Sequence, residues 1–134
     1  MKIAAVSEDG VTISQHFGRA PFYVVVTVEG GRILGRERRD KPGHGSQTHS
    51  HASGGHDHGE PGHGFDPAAQ SRHASMAQVI ADCAVVLARG MGAGAYESLK
   101  GAGIRPIVTD IEVIDEAVQA VVAGEIVDHR DRLH

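Results

Sequence analysis

Cysteine occurs once in the 134 residues. A single thiol excludes an intramolecular disulfide, a CxxC-type zinc site and an iron–sulfur cluster tied to one chain through four thiolates. Long apolar runs are missing too. Nothing approaches the roughly 18 residues needed to span a bilayer, and Met1-Lys2-Ile3-Ala4-Ala5-Val6 is too short for the apolar region of a signal peptide. The formal net charge is −4, with Lys and Arg scattered, so there is no footprint for nucleic acid or anionic lipid. These absences lead to the expectation of a soluble cytoplasmic protein with no nucleic-acid or membrane partner. The length fits one domain over residues 1–134, able to bury a core without staples.

Histidine is abundant, at ten residues, and unevenly placed. Seven of the ten lie between residues 41 and 75, together with seven glycines and no Val, Ile or Leu. Such a stretch cannot bury enough surface to offset the entropy of ordering it, and reads as a disordered, mobile insertion. His49-Ser50-His51 and His56-Asp57-His58 are H-x-H pairs, whose alternate side chains project to one side of an extended chain. With His44 and His63 nearby, this segment has the chemistry to chelate zinc, nickel, cobalt, copper or iron(II) at modest affinity. The opposing reading is a solvated low-complexity segment that binds metal only incidentally.

On either side the pattern is that of a folded α/β domain. Lys2 to Val6 reads as an apolar strand, Ser7-Glu8-Asp9-Gly10 as a turn, and Val11-Thr12-Ile13 as a short second strand. Phe22 to Val28 is rich in β-branched and aromatic residues, and Gly30-Gly31 predicts a tight hairpin into Arg32–Arg39. After the insertion, the period becomes helical. Asp66-Pro67 can start a helix, although the boundary could fall as late as Ser75. Met76, Val79, Ile80 and Cys83 mark its apolar face. Ala84 to Ala88 reads as a buried strand, Ala93 to Ala102 as a helix ended by Gly103, and Ile104 to Thr109 as an edge strand containing Pro106. Ile114, Ala117, Val118, Val121 and Val122 line a last helix closed by Gly124. An antiparallel meander followed by βα units predicts a mixed sheet flanked by helices.

Two segments outside the insertion could carry chemistry. Ser14-Gln15-His16-Phe17-Gly18-Arg19-Ala20-Pro21 joins two strands and holds an imidazole and a guanidinium, the latter a fixed anion clamp. Its bland reading is a connection anchored by Phe17, with His16 and Arg19 solvated. Gly90-Met91-Gly92-Ala93-Gly94-Ala95 follows a strand and precedes a helix. It satisfies G-x-G-x-x-A, with Asp110 about 20 residues later, the spacing of a dinucleotide fingerprint. Its glycines would let an anion approach backbone amides at a helix N-terminus. Cys83 reads as a small buried hydrophobe. Asp82 reads as a solvated helix-end residue, and the acidic group Asp110, Glu112, Asp115 and Glu116 as helix-dipole complementation. His129 and His134 read as solvated tail residues. No nucleophile–base–acid set is visible, so the expectation is a protein that is not an enzyme.

Lys2-Ile3-Ala4 followed by His16-Phe17-Gly18-Arg19-Ala20-Pro21 resembles the dinitrogenase iron-molybdenum cofactor biosynthesis family. So does Asp82-Cys83 leading to Arg89-Gly90-Met91-Gly92, with Gly94-Ala95 and Ala102-Gly103-Ile104 beyond. The resemblance covers the chain apart from the histidine-rich insertion. The family includes NifX-like carriers, the C-terminal domain of the NifB cofactor synthase and the orange protein of sulfate reducers. It implies a ribonuclease H-like fold: a mixed five-stranded sheet of three antiparallel strands, then alternating helices and strands. It also implies noncatalytic carriage of a preformed iron–sulfur or molybdenum-containing cluster, held noncovalently and exchanged with donor and acceptor proteins. Carried over by position, the cluster-binding residues would be His16, Phe17, Gly18 and Arg19 with Gly90, Met91, Gly92 and Gly94. The auxiliary divalent-metal ligands would be His44, His49, His51, His56, His58 and His63. Two alternatives stay open: a nucleotide-binding regulatory domain using Gly90–Gly94 and Asp110, and a divalent-metal buffer in which only the insertion matters.

Overall fold

The computed structural model describes residues 1–42 and 67–134. Residues 43–66 of the histidine-rich insertion, with all six of its candidate metal ligands, lie outside the described residues, whereas its ends are ordered: Lys41 is buried and residues 67–75 belong to a helix. In chain order the elements are β1 (Lys2–Ser7), β2 (Phe22–Glu29), β3 (Arg32–Asp40), α1 (Pro67–Val79), β4 (Val85–Ala88), α2 (Ala93–Gly101), β5 (Arg105–Val108) and α3 (Ile114–Ala123), followed by a 3₁₀ turn at Arg130–Arg132. They build one five-stranded sheet in the order β3-β2-β1-β4-β5. The β1–β2 and β2–β3 pairs are antiparallel, and β1–β4 and β4–β5 are parallel. The expected meander and βα units therefore meet at β1, the central strand.

The hydrophobic pattern explains this order. β1 from Ile3 to Val6 and β4 along its length are apolar and buried on both faces, as interior strands flanked by helices must be. β2 runs from Phe22 to Val28 with only Thr27 half-exposed before its end. It turns into β3 through Gly30 and Gly31, whose φ values of 57° and 80° meet the need of a two-residue hairpin for left-handed backbone. β3 is a charged edge strand whose neighbouring side chains serve opposite faces. Arg36 pairs with Asp115 on α3 at 2.6 Å, and Arg39 reaches the Val79 carbonyl at the end of α1 at 2.9 Å. α1 packs against α2 on the same side of the sheet. At the far edge, the Val108 N–H donates to Asp128 Oδ1 at 2.8 Å and the Val108 carbonyl accepts from the His129 N–H. Among the described residues, no helix is long and apolar enough to cross a membrane.

Several local expectations are corrected. Val11-Thr12-Ile13 forms no strand of the sheet, only an isolated bridge from Thr12 to Val113. The amides of Val11 and Thr12 instead donate to the Asp9 carboxylate at 2.8 and 2.7 Å, leaving few donors for a ladder. Those same bonds hold the Asp9 carboxyl well below the usual carboxylate range. α1 starts at Pro67 as expected but ends at Val79, so Ile80 and Cys83 reach the core from the following turn. Asp82 is not simply solvated: it accepts from Arg39 at 2.7 and 3.0 Å and from Lys2 at 3.3 Å. The acidic group likewise finds cations, with Asp115 on Arg36 and Glu112 3.7 Å from Arg89.

Tyr23 shows how α1 is tied down. Its ring is fully buried in β2 and its hydroxyl donates to the Met76 carbonyl at 3.1 Å, which burial alone would leave unsatisfied. Tyr23→Phe should cost about 1 kcal/mol in a urea titration followed by circular dichroism, the net worth of one buried hydrogen bond.

Candidate functional site

Adjacent parallel strands send their next loops out on the same side. Because β1 and β4 are such a pair, the loop after β1 and the turn after β4 leave the carboxyl edge of the sheet together, where open α/β sheets place their ligands. The two segments singled out from the sequence are therefore joined. The Arg89 N–H donates to the Ser14 carbonyl at 2.9 Å, and the Phe17 N–H donates to the Gly90 carbonyl at 3.1 Å. At Gly90 the approach is so close that a Cβ would collide with the Gln15 carbonyl oxygen. Glycine is required there by contact rather than by backbone angle.

Within the loop, hydrogen bonds fix a tight turn. The amides of Arg19 and Ala20 donate to the His16 carbonyl at 3.1 and 2.9 Å, and the His16 N–H donates to Ser14 Oγ at 3.0 Å. Phe17 and Ala20 point into the core, whereas His16, Gly18 and Arg19 face solvent. No ion pair engages Arg19 among the described residues. Arg89, which the sequence reading left without a role, lies mostly buried beside the loop. Its Nε is buried and has no hydrogen-bond partner among the described residues.

Lys41 is a second residue that sequence reasoning missed, since a lysine at the end of a charged strand reads as a surface residue. Only 1% of it is exposed. Its backbone N–H donates to the Pro21 carbonyl at 3.0 Å, and its Nζ donates to the Phe17 carbonyl. The ammonium lies 4.5 Å from the Phe17 ring centre and 5.4 Å from that of Tyr23. The loop is thus held from below at both ends.

The glycine turn is placed differently from the sequence expectation. Met91 is buried, so any contact with a ligand would come from its backbone, and Gly94 is enclosed in the first turn of α2. The Ala93 N–H already donates to the His134 carbonyl at 2.8 Å, while the His134 N–H donates to the Met91 carbonyl. His134 is exposed as expected, although its backbone is tied to the start of α2, whereas His129 is not a solvated tail residue: it is half-buried, and its backbone bonds to β5. Asp110, the acidic member of the dinucleotide spacing, is held by Arg132 and by His129 Nε2 at 3.2 Å. Cys83 sits at the opposite end of the strands, where the neighbouring Ala84 N–H donates to the Lys2 carbonyl. Burial and the Asp82 carboxylate push its thiol up to about 11, so it stays neutral and unreactive. No group of three or more His, Cys, Asp or Glu gathers to hold a metal ion among the described residues.

The sequence profile of the family described as dinitrogenase iron-molybdenum cofactor matches residues 1–124. The chain belongs to this family. The match takes in both site loops and stops short of the C-terminal segment that meets α2. No curated protein matches the chain. Among solved structures, the apo orange protein from Desulfovibrio gigas is 24% identical with a TM-score of 0.63, covering 96% of this chain and 92% of its own. A dinitrogenase candidate from Methanocaldococcus jannaschii is 11% identical with a TM-score of 0.62, at 97% and 95% coverage. A Thermotoga protein described as a NifB candidate is 19% identical with a TM-score of 0.54, at 95% and 91% coverage. These likenesses show a shared fold.

The clasp and the buried lysine each lead to an expected outcome. Gly90→Ala should push the two loops apart and lower stability by about 1–3 kcal/mol, the usual range for a forced backbone shift, read as a drop in melting temperature. The second concerns pH. Burial lowers the Lys41 ammonium from the ordinary lysine value to about 8. Between that value and the unfolded value of 10.5 the unfolded chain binds more protons. Stability contributed by this group must then rise with pH across that window. Lys41→Met should remove the rise, measured as chemical stability at pH 7 and pH 10.

Proposed function

We propose that the protein is a noncatalytic carrier of a preformed, anionic metal–sulfur cluster of the iron–sulfur or molybdenum-containing type. The observation that carries this reading is a pair of guanidinium donors, beside the meeting of the two loops, that have no acceptor among the described residues. Among the described residues, Arg19 is exposed without an ion pair and Arg89 Nε is a buried donor without an acceptor. A buried N–H with no partner is costly, and an anionic ligand at this edge would satisfy it. His16 adds an exposed imidazole one residue from the clasp, able to ligate or to donate to a cluster sulfide. The cargo would be held by charge and hydrogen bonds more than by ligation, consistent with a preformed cluster that brings its own sulfides. Exchange with donor and acceptor proteins is then a matter of competition for an open edge. Family membership agrees with this reading, and the orange-protein and NifB-like neighbours share its fold.

The nucleotide reading draws less support, because the two groups it needs are engaged: the Ala93 amide by His134, and Asp110 by Arg132 and His129. A divalent-metal role for His44, His49, His51, His56, His58 and His63 is an auxiliary part of the proposal. It rests on the H-x-H spacing alone.

Anaerobic reconstitution with iron, sulfide and molybdate should give the wild type a visible chromophore that survives gel filtration. His16→Ala and Arg19→Ala should each weaken retention about tenfold or more, the worth of one charge-assisted contact. A wild type that retains no chromophore under any of these conditions would overturn the carrier reading.

A further inference from the structure

Lysine is almost never fully buried unless paired, because an ammonium leaves water at high cost. Lys41 departs from that rule. At 1% exposure its Nζ meets one carbonyl, that of Phe17, and two aromatic faces. No carboxylate pairs with it among the described residues. The nearest side chains of the β2 strand and the loop do not supply one either: Tyr23 spends its hydroxyl on Met76, and Phe17 is apolar. Glu8, a carboxylate just beyond β1, accepts from Ser14 Oγ at 2.9 Å. The carbonyl that Lys41 holds belongs to the residue between His16 and Gly18, so the charge lies directly under the loop assigned to the cargo. Aromatic faces and one carbonyl partly solvate a cation, but they do not neutralise it. No counter-charge meets it among the described residues.

We propose that Lys41 is a specificity-determining residue whose buried ammonium, beneath the His16–Arg19 loop, selects dianionic cargo over monoanionic cargo of the same shape. This rests on the carrier reading and adds the charge class of what is carried. A buried charge acts through a medium of low polarisability and is screened less by salt than Arg19 at the surface. Its contribution therefore scales with ligand charge. A latch that merely shaped the loop would weaken every ligand alike.

Tetrathiomolybdate and tetrathiorhenate separate these roles, being tetrahedral sulfide anions of nearly equal size and of charge −2 and −1. The ratio of their dissociation constants is measured anaerobically by calorimetry for the wild type, Lys41→Gln and Lys41→Met. Gln keeps a donor for the Phe17 carbonyl without the charge, and Met removes both. Both variants replace a buried charge by a neutral group, so each should melt at or above the wild-type temperature at pH 7. The wild type should favour the dianion, and that preference should fall about tenfold in either variant, the scale of one charge acting across a partly buried site. A folded variant whose ratio stays within about twofold of wild type overturns the inference, as does an equal loss of affinity for both anions. A wild type that binds neither anion removes the carrier reading itself, and with it the role of Lys41.

Discussion

The carboxyl edge of this sheet is organised by one close approach, the Gln15 carbonyl against the backbone of Gly90. Two loops can be this near only if one of them has no side chain at the contact. Once they are, the pairs Arg89 to Ser14 and Phe17 to Gly90 come within hydrogen-bonding distance. The long connection from β1 to β2 then becomes a rigid shelf, anchored by Phe17 below and by the neighbouring turn beside it. His16 and Arg19 owe their fixed placement to this clasp, because an open loop of that length would hold neither.

The two ends of the sheet treat charge in opposite ways. At the amino end of β1, Lys2 and Arg39 converge on Asp82, whose carboxyl they hold far below its ordinary range. That end is electrostatically closed, and its thiol is kept neutral. At the carboxyl end the pairing is looser: among the described residues Arg19 has no ion pair, Lys41 meets no carboxylate, and Arg89 stands 3.7 Å from Glu112. Exposed pairs contribute little to stability in any case. What the distribution sets is where an anion can be received.

Much of this was legible in the residues. Strand and helix positions followed from hydrophobic period, and the edge placement of β5 followed from Pro106. The family's motifs pointed to both loops. Their contact was not legible, since nothing in Gly90 as a letter distinguishes a glycine needed for space from one needed for turning. Lys41 was hidden by its setting, at the end of a strand carrying four arginines, three of them largely exposed. The tail misled for a related reason: a polar C-terminal segment reads as solvated, yet Asp128 accepts from the Tyr96 hydroxyl of α2 at 2.6 Å and the His134 carbonyl accepts from the Ala93 amide. Ser7 and Asp9 signalled a turn correctly but also drew off the amides that a strand at Val11–Ile13 would have needed.

The last edge of the sheet bears on how such a protein behaves in a crowd. In β5 the backbone donors that point away from β4 fall at positions 106 and 108. The first is proline and has no N–H, and the second is already spent on Asp128. The edge therefore offers almost nothing for a foreign strand to bind. On the other side, β3 is lined with arginines and carboxylates, charges that a second strand would have to strip of water before it could pair. Growth of the sheet from one molecule into the next is discouraged at both margins, so the open face is left to the loops at the end of the strands.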